Sequence, residues 1–486
     1  MTRTRIGLLV ALILTAMPTV AQQRPDRSRP PEVGAPPALS LASVERRTLS
    51  NGLTVLYMPK HEVPLVQINV VIRAGSVGDP ADRPGLARMT ARMLDEGAGE
   101  RDALAFADAI EILGASLGIS DDYHRTVVRL HVPLGQLDAA LPLLADAVLR
   151  PRFDAAEFER GRRQRLTSLL QARDEPRAIA TVIYDRTIFG ADHPYGRPDV
   201  GTAASLRDMT RDDLVRFHRA WFVPNNTAIV VVGDISLDAL MPRLEAAFGG
   251  WRRASPPAVQ VPAASQVAAR AITLVNKPEA AQSEIRIGRI GVSRDTEDYY
   301  ALTVLNTILG GSFTSRLNQR LREEKGYTYG ASSNFAWRPT PGPFTAQAAV
   351  QTAVTDSALY WFMFELNRIR EPVPEEEVTR ARNYVALRFP GAFQSVAQIA
   401  GQLEAVWLYG LPLDYFNTFV PGILGVTQAD VRRVAMRYLD PERMAIVIVG
   451  DQVRIEAGVR GLGLGPITVL SVEDVMGPPP VLDGTR

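Results

Sequence analysis

The chain has 486 residues, sets 54 lysines and arginines against 53 aspartates and glutamates, and contains no cysteine. With 46% hydrophobic and 22% charged residues it has the composition of a globular protein with material for a buried core, and its length predicts about three domains at roughly 150 residues each. A net charge of +1 supplies no global field for nucleic acid, and the missing cysteines exclude disulfides, thiolate metal sites and a cysteine nucleophile.

Imidazole chemistry rests on five histidines: His61, His124, His131, His193 and His218. Lysine occurs only at Lys60, Lys277 and Lys325, so 51 of the 54 basic residues are arginines. An arginine at any one position therefore says little about function by itself.

Residues 1–21 carry Arg3 and Arg5, an apolar run over 6–14 and the small residues Thr19-Val20-Ala21. This pattern predicts a secretory signal cut after Ala21, hence an exported, periplasmic protein. No other stretch approaches the ~20 apolar residues of a membrane span. Residues 22–42, with Pro25, Pro30, Pro31, Pro36 and Pro37, predict a flexible leader.

A first body spans 43–251. It opens with strands over 53–58 and 65–74, then runs through helices over 85–96, 103–114, 135–149, 154–173 and 210–221, with a strand over 126–132 between them. A Pro/Ala-rich linker follows over 252–270. The second body, 271–472, opens with strands over 272–275 and 284–290 and a helix over 301–309. Residues 473–486, with Pro478-Pro479-Pro480, predict a flexible tail.

The two bodies read as copies. Residues 210–234 and 427–451 are identical at 10 of 25 positions at a constant offset of 217, without a gap. In each, a helix ends in an aromatic (Trp221, Tyr438), a proline follows (Pro224, Pro441), and a buried strand ends in Val-Gly-Asp. The fold class expected is α+β: two tandem homologous domains, each a mostly antiparallel sheet with helices packed on one face.

The helix expected after the second strand reads Gly85-Leu86-Ala87-Arg88-Met89-Thr90-Ala91-Arg92-Met93-Leu94. With Arg73-Ala74-Gly75-Ser76 before it, Arg150-Pro151-Arg152-Phe153, Asp192-His193-Pro194-Tyr195-Gly196 and Gly310-Gly311 through Tyr329, the chain resembles the insulinase/pitrilysin-like zinc peptidases, the inverzincins. The likeness is greatest to their mitochondrial-processing-peptidase-like branch, and it spans essentially the whole chain after the expected signal, duplication included. It implies that the two domains form half of a clamshell.

The family has G-L-A-H-x-x-E-H-M-L at this helix, where two histidines hold zinc and the glutamate serves as general base. Here those positions are Arg88, Ala91 and Arg92. A guanidinium has no lone pair to give and stays protonated, so two of them repel a dication, and Ala91 moves no proton. Aligning the flanks of the later helix places Thr167 or Ser168 at the third, glutamate ligand. No metal or cofactor is expected in this chain. No two histidines lie within four residues of each other, and no Gly-x-Ser-x-Gly elbow occurs.

The second body keeps other features. The segment 312–329 resembles the family's S-S-R-L-x-x-x-x-R-E-x-x-G-x-x-Y segment, with Arg322 and Tyr329 at the family's spacing. The resemblance implies that this pair binds substrate backbone and stabilises the developing oxyanion at a zinc site in the opposite half of the clamshell. Gly310-Gly311 reads first as a helix C-cap with left-handed backbone; the resemblance adds substrate holding by Gly310, Gly311 and Ser315.

The function expected is a zinc-less, substrate-binding subunit that supplies Arg322 and Tyr329 in trans. Its partners would be a homologous H-x-x-E-H chain that carries the zinc and a peptide or unfolded polypeptide substrate. The alternative is a non-catalytic, peptide-binding or structural protein like the respiratory-complex core proteins.

Overall fold

The β-branched runs of the two copies form the interiors of two six-stranded sheets in a computed structural model that describes residues 41–481. The signal peptide and all but the last two residues of the leader lie outside these residues, as do residues 482–486. The first sheet contains β1 (Glu45–Thr48), β2 (Thr54–Pro59), β3 (Leu65–Ile72), β4 (Ser116–Asp121), β5 (Thr126–Pro133) and β6 (Thr227–Gly233), ordered β1-β2-β6-β3-β5-β4. The second contains β7 (Ala271–Asn276), β8 (Gln282–Ile290), β9 (Ala331–Phe335), β10 (Pro343–Gln351), β11 (Ala445–Gly450) and β12 (Ile467–Ser471), ordered β12-β7-β11-β8-β10-β9. Five strands match in order, β2-β6-β3-β5-β4 with β7-β11-β8-β10-β9, while the outer edge is filled by a preceding strand, β1, in the first sheet and by a following one, β12, in the second. Both sheets are mixed but mostly antiparallel: β2 runs parallel to β6 in the first, and β7 runs parallel to β11 and β12 in the second.

The repeated helix–strand unit is the same in both copies. Helices Arg211–Trp221 and Gln428–Tyr438 each begin with a reciprocal capping box, Thr210 with Asp213 and Thr427 with Asp430. Each is followed by a strand with no exposed residue, β6 or β11. A strand alternates its side chains between two faces, so complete burial requires cover on both.

Each domain's own helices cover one face of its sheet. There Val55, Ile68, Val70, Leu130 and Ile229 pack beneath Leu86, Leu144 and Leu214. The opposite face is covered by the other domain. Helix Val396–Tyr409 of the second domain sets Ile399, Leu403 and Val406 against Leu56, Val71, Val230 and Val232 of the first sheet. Helix Pro176–Phe189 of the first domain sets Ile179, Ile183 and Tyr184 against Val275, Val447 and Val449 of the second. The expectation of helices on one face thus describes each domain's own contribution, while the exchange of one helix in each direction supplies the rest.

Polar groups fix these crossings. Glu404 on Val396–Tyr409 is 1% exposed yet accepts from Asn69 at 2.7 Å and is paired with Arg129 at 3.0 Å and Arg125 at 3.1 Å, all from the first domain. In the other direction the Tyr184 hydroxyl donates to the Phe344 carbonyl at 2.6 Å.

Segment 252–270 has no regular structure, but Val261, Ala264 and Val267 pack on the crossing-helix cluster. The stretch expected as a tail begins in the helix Val472–Met476, whose Val475 is buried. The helix expected over 85–96 stops at Arg92, and beyond it Gly97 and Gly99 turn the chain with φ of 99° and 59°.

Replacing Glu404 with alanine leaves Arg129 without a counter-charge and Arg125 with Asp122 alone. Urea denaturation should show a loss of about 3–5 kcal/mol; a change within about 0.5 kcal/mol would mean the crossing is held by apolar contact alone.

Candidate functional site

The helix Leu86–Arg92 starts on a constrained turn. Gly85 has φ of 90°, and a Cβ there would lie 2.8 Å from the Cα of Gly201, so only glycine fits. The carboxylate of Asp79 accepts from the N–H groups of Gly85 at 2.8 Å and Ala87 at 2.7 Å. Burial pushes the Asp79 pKa up to about 7, against the lowering effect of these backbone donors.

On this helix Arg88 is held between two carboxylates. Its Nε donates to Asp121 at the end of β4 at 2.9 Å, and its Nη2 lies 3.0 Å from Asp199. Burial works against the Arg88 charge, but Asp199 and Asp121 outweigh it and hold the pKa above the ordinary guanidinium value. Burial raises Asp121 despite the pull of Arg88. Ala91 is buried, and Arg92 hydrogen-bonds Gln164 and lies 3.9 Å from Glu96.

The facing helix is Ala155–Ala172. Gly161 passes close enough that a Cβ would meet Met89 at 2.9 Å. Gln164 reaches Arg92, while burial and the nearby Arg88 lower the pKa of Arg165. The hydroxyls of Thr167 and Ser168 turn back to their own helix, donating to the Arg163 and Gln164 carbonyls at 3.0 Å each. Glutamine, not either hydroxyl, thus makes the hydrogen bond to the helix that carries Arg88 and Arg92.

Zinc does not fit these residues. Two cations and an alanine offer no electron pair, and the carboxylates nearby are committed to Arg88. Among the described residues no three histidine, aspartate or glutamate side chains converge as a metal-holding group. The histidines have separate partners: His61 with Asp234, His124 with Tyr195, His131 with Gln67, His193 with the Tyr195 N–H and the Pro262 carbonyl, and His218 with the Val148 carbonyl. Burial pushes His124 and His218 down to about 4, so both are neutral at pH 7.

Behind the Arg88 pair lies a cavity of about 610 Å³, lined in part by Tyr123, Asp185 and Asp199 and bordered by Asp474–Pro480. Arg186 donates to the Val475 carbonyl at 2.7 Å, and Arg173 to that of Gly477 at 2.5 Å. Asp185, on the crossing helix Pro176–Phe189, is pushed up to about 6 by burial, with Arg338 and Arg286 pulling the other way. Reasoning from sequence did not find Asp79, Asp121, Asp185 or Asp199. The available signal was indirect: an arginine on a helix packed against a sheet requires a carboxylate, but nothing local says which.

In the second domain the features lie apart. Tyr329, just before the edge strand β9, is 90% exposed and lines a groove of about 330 Å³ with Arg177, Glu284 and Gln347. Arg322 is not part of that lining; its guanidinium lies 4.6 Å from the Phe313 ring centre and 3.4 Å from Glu323. Gly310 ends the helix Tyr299–Leu309 with φ of −157°, so the left-handed cap expected there is not formed. Its role is close approach, since a Cβ would lie 2.2 Å from the Ser333 N of β9. Gly311 is exposed, and Ser315 is buried with no hydrogen bond to its hydroxyl.

Two family profiles match the chain: "Insulinase (Peptidase family M16)" over residues 54–193 and "Peptidase M16 inactive domain" over 208–385. An uncharacterised zinc protease of Mycobacterium bovis is 30% identical over 317 residues, covering 65% of this chain and 72% of that protein. The crystal structure of a peptidase M16 inactive domain from Pseudomonas fluorescens superposes with a TM-score of 0.79 at 27% identity, over 84% of this chain and 98% of that one. A chain of Complex III2 from Candida albicans shares the fold, with a TM-score of 0.72 at 18% identity over 86% of this chain and 99% of that one.

Arg88→Ala strands two carboxylates that now share one cation. Stability should fall by about 1–3 kcal/mol near neutral pH, and by less as pH falls and Asp121, whose pKa burial raises, takes up a proton; a loss independent of pH would show that Arg88 acts through packing. Asp185 has the opposite sign. Its folded pKa lies above its unfolded value, so the folded state binds more protons and stability falls as pH rises from about 4 to about 6. The displacement corresponds to about 3 kcal/mol. Asp185→Asn should remove that fall in urea melts, and equal slopes for variant and parent would contradict it.

Proposed function

The chain belongs to the insulinase-type peptidases of family M16, and within that family we propose that it is the zinc-less, substrate-binding subunit of an exported heteromeric metallopeptidase. One observation carries the reading: the seats of the family's ligands and base hold Arg88, Ala91 and Arg92, and Arg88 is neutralised by Asp121 and Asp199. A folded chain whose metal seat is filled by its own ion pairs needs a second chain for zinc chemistry. That partner is a homologous H-x-x-E-H subunit, and it carries the metal.

This chain contributes binding and donors. Tyr329 holds its phenol in solvent beside a groove whose wall includes Arg177 from the first domain and Gln347 from β10. Arg322 keeps a part-exposed guanidinium on the same domain. A phenol O–H and a guanidinium can each donate to a peptide carbonyl oxygen, and more strongly once that oxygen gains negative charge. The exposure of Tyr329 supports action on a substrate held against another subunit rather than within its own domain.

Co-purification with a zinc-bearing homologue, followed by peptide cleavage, tests the proposal. Arg322→Ala and Tyr329→Phe should each lower kcat of the complex by about 10²–10³-fold without dissociating it. The isolated chain should hold no stoichiometric zinc by metal analysis and show no cleavage. Unchanged turnover in both variants would leave a peptide-binding or structural role instead.

A further inference from the structure

On the Arg92 side of the seat a groove of about 510 Å³ runs along the helix Ala155–Ala172. Four arginines line it, Arg92, Arg160, Arg163 and Arg165, and among the described residues no aspartate or glutamate does. Arginines alone say little in this chain, but it carries 53 acids to match its bases. The corresponding helices of the second domain, Tyr299–Leu309 and Glu375–Arg388, show the ordinary pattern. The cavity of about 160 Å³ beside them sets Arg316, Arg320, Arg368 and Arg380 against three glutamates.

The guanidinium groups of the groove are unequally answered. Arg160 is paired with Glu157 and Glu96, and Arg92 lies 3.9 Å from Glu96. Arg163, which is exposed, and Arg165, which is half-buried, form no ion pair among the described residues, although Arg162 between them pairs with Glu159 at 3.2 Å. Burial and the nearby Arg88 and Arg92 lower the Arg165 pKa, with Asp121 and Asp199 pulling the other way. Like charges crowded in this way favour an anion beside them. Gln164, also exposed, accepts from Arg92 on Oε1, which leaves its amide NH2 to donate. The Thr167 and Ser168 hydroxyls are spent on their own helix, so the arginines and Gln164 carry any recognition here.

We propose that this groove grips the acidic side chains of a peptide, so that the polypeptides held by this chain are segments rich in aspartate and glutamate. The proposal rests on the substrate-binding reading and names its substrate class. Planar guanidinium forks match carboxylates in shape as well as charge. Spacing favours a peptide over a compact anion. Arg160 and Arg165 are separated by about 8 Å along the helix axis, and an extended peptide sets its i and i+2 side chains on one face about 7 Å apart. Two acids at alternate positions can therefore engage different arginines, whereas one phosphate would answer a single guanidinium pair and leave the rest crowded.

Fluorescence anisotropy on the full purified chain tests this with a labelled peptide carrying glutamate at alternate positions, against the same peptide with glutamine there. The glutamate peptide should bind about tenfold or more tightly at about 50 mM salt and lose that margin near about 500 mM. Arg163→Glu and Arg165→Gln should each weaken it about tenfold, while Arg432→Glu, at an exposed arginine outside the groove, should change it less than about twofold. Arg163 is exposed, so its variant reads the groove even if the Arg165 variant fails to fold. Equal affinity for the two peptides, an equal loss in the Arg432 variant, or inorganic phosphate binding more tightly than the glutamate peptide would overturn the proposal. The assay contains no zinc-bearing partner, so its failure leaves the roles of Arg322 and Tyr329 in a complex intact, and a complex that cleaves nothing leaves the binding result standing.

Discussion

Arg88 stands between Asp121 and Asp199, and that pair of contacts fixes what the first domain can do. A metal seat needs electron pairs aimed at one point. Here the helix aims a permanent cation at that point, and the two nearest carboxylates are turned inward to answer it. The arrangement is self-consistent: burial alone would lower a guanidinium pKa, yet the carboxylates raise that of Arg88. The helix Leu86–Arg92, β4 and the loop at Asp199 are therefore tied together by charge.

That substitution is affordable because the scaffold does not depend on the seat. Each sheet is buried on both faces, and the second cover comes from the opposite domain through the helices Val396–Tyr409 and Pro176–Phe189. Neither domain could leave its partner without exposing a sheet face lined by Leu56, Val71, Val230 and Val232 or by Val275, Val447 and Val449. The two copies form one folding unit despite the proline-rich segment between them. Within that unit, the local chemistry of either seat can change at modest cost.

What the residues reveal in advance follows the range of the interactions. The paired units ending in β6 and β11 are legible because a terminal aromatic, a proline and a β-branched run are local signals. The edge strands β4 and β9 are less so: Ser116–Asp121 and Ala331–Phe335 are short, polar on one face and carry weak periodicity. The crossing helices read as ordinary amphipathic helices, since nothing in their spacing says which sheet they cover. That these seats offer a metal no electron pair is visible from Arg88, Ala91 and Arg92 alone. The replacements are not, because Asp121 and Asp199 lie far from Arg88 along the chain and are brought to it only by the fold. Gly310 shows the same limit in reverse: the residue signals a constraint, but its source is the backbone of β9 and not a left-handed turn.

The duplication gives the two seats a common geometry and lets their contents be compared. In the first, the charges close on each other, with Arg88 matched by two carboxylates and Arg92 by a glutamine. In the second, Arg316 forks onto Glu377, and Glu365 takes both Arg320 and Arg368 on one oxygen. The corresponding helices thus carry an arginine-centred cluster in each domain, and the partners differ: aspartates from β4 and a loop in the first, glutamates from neighbouring helices in the second.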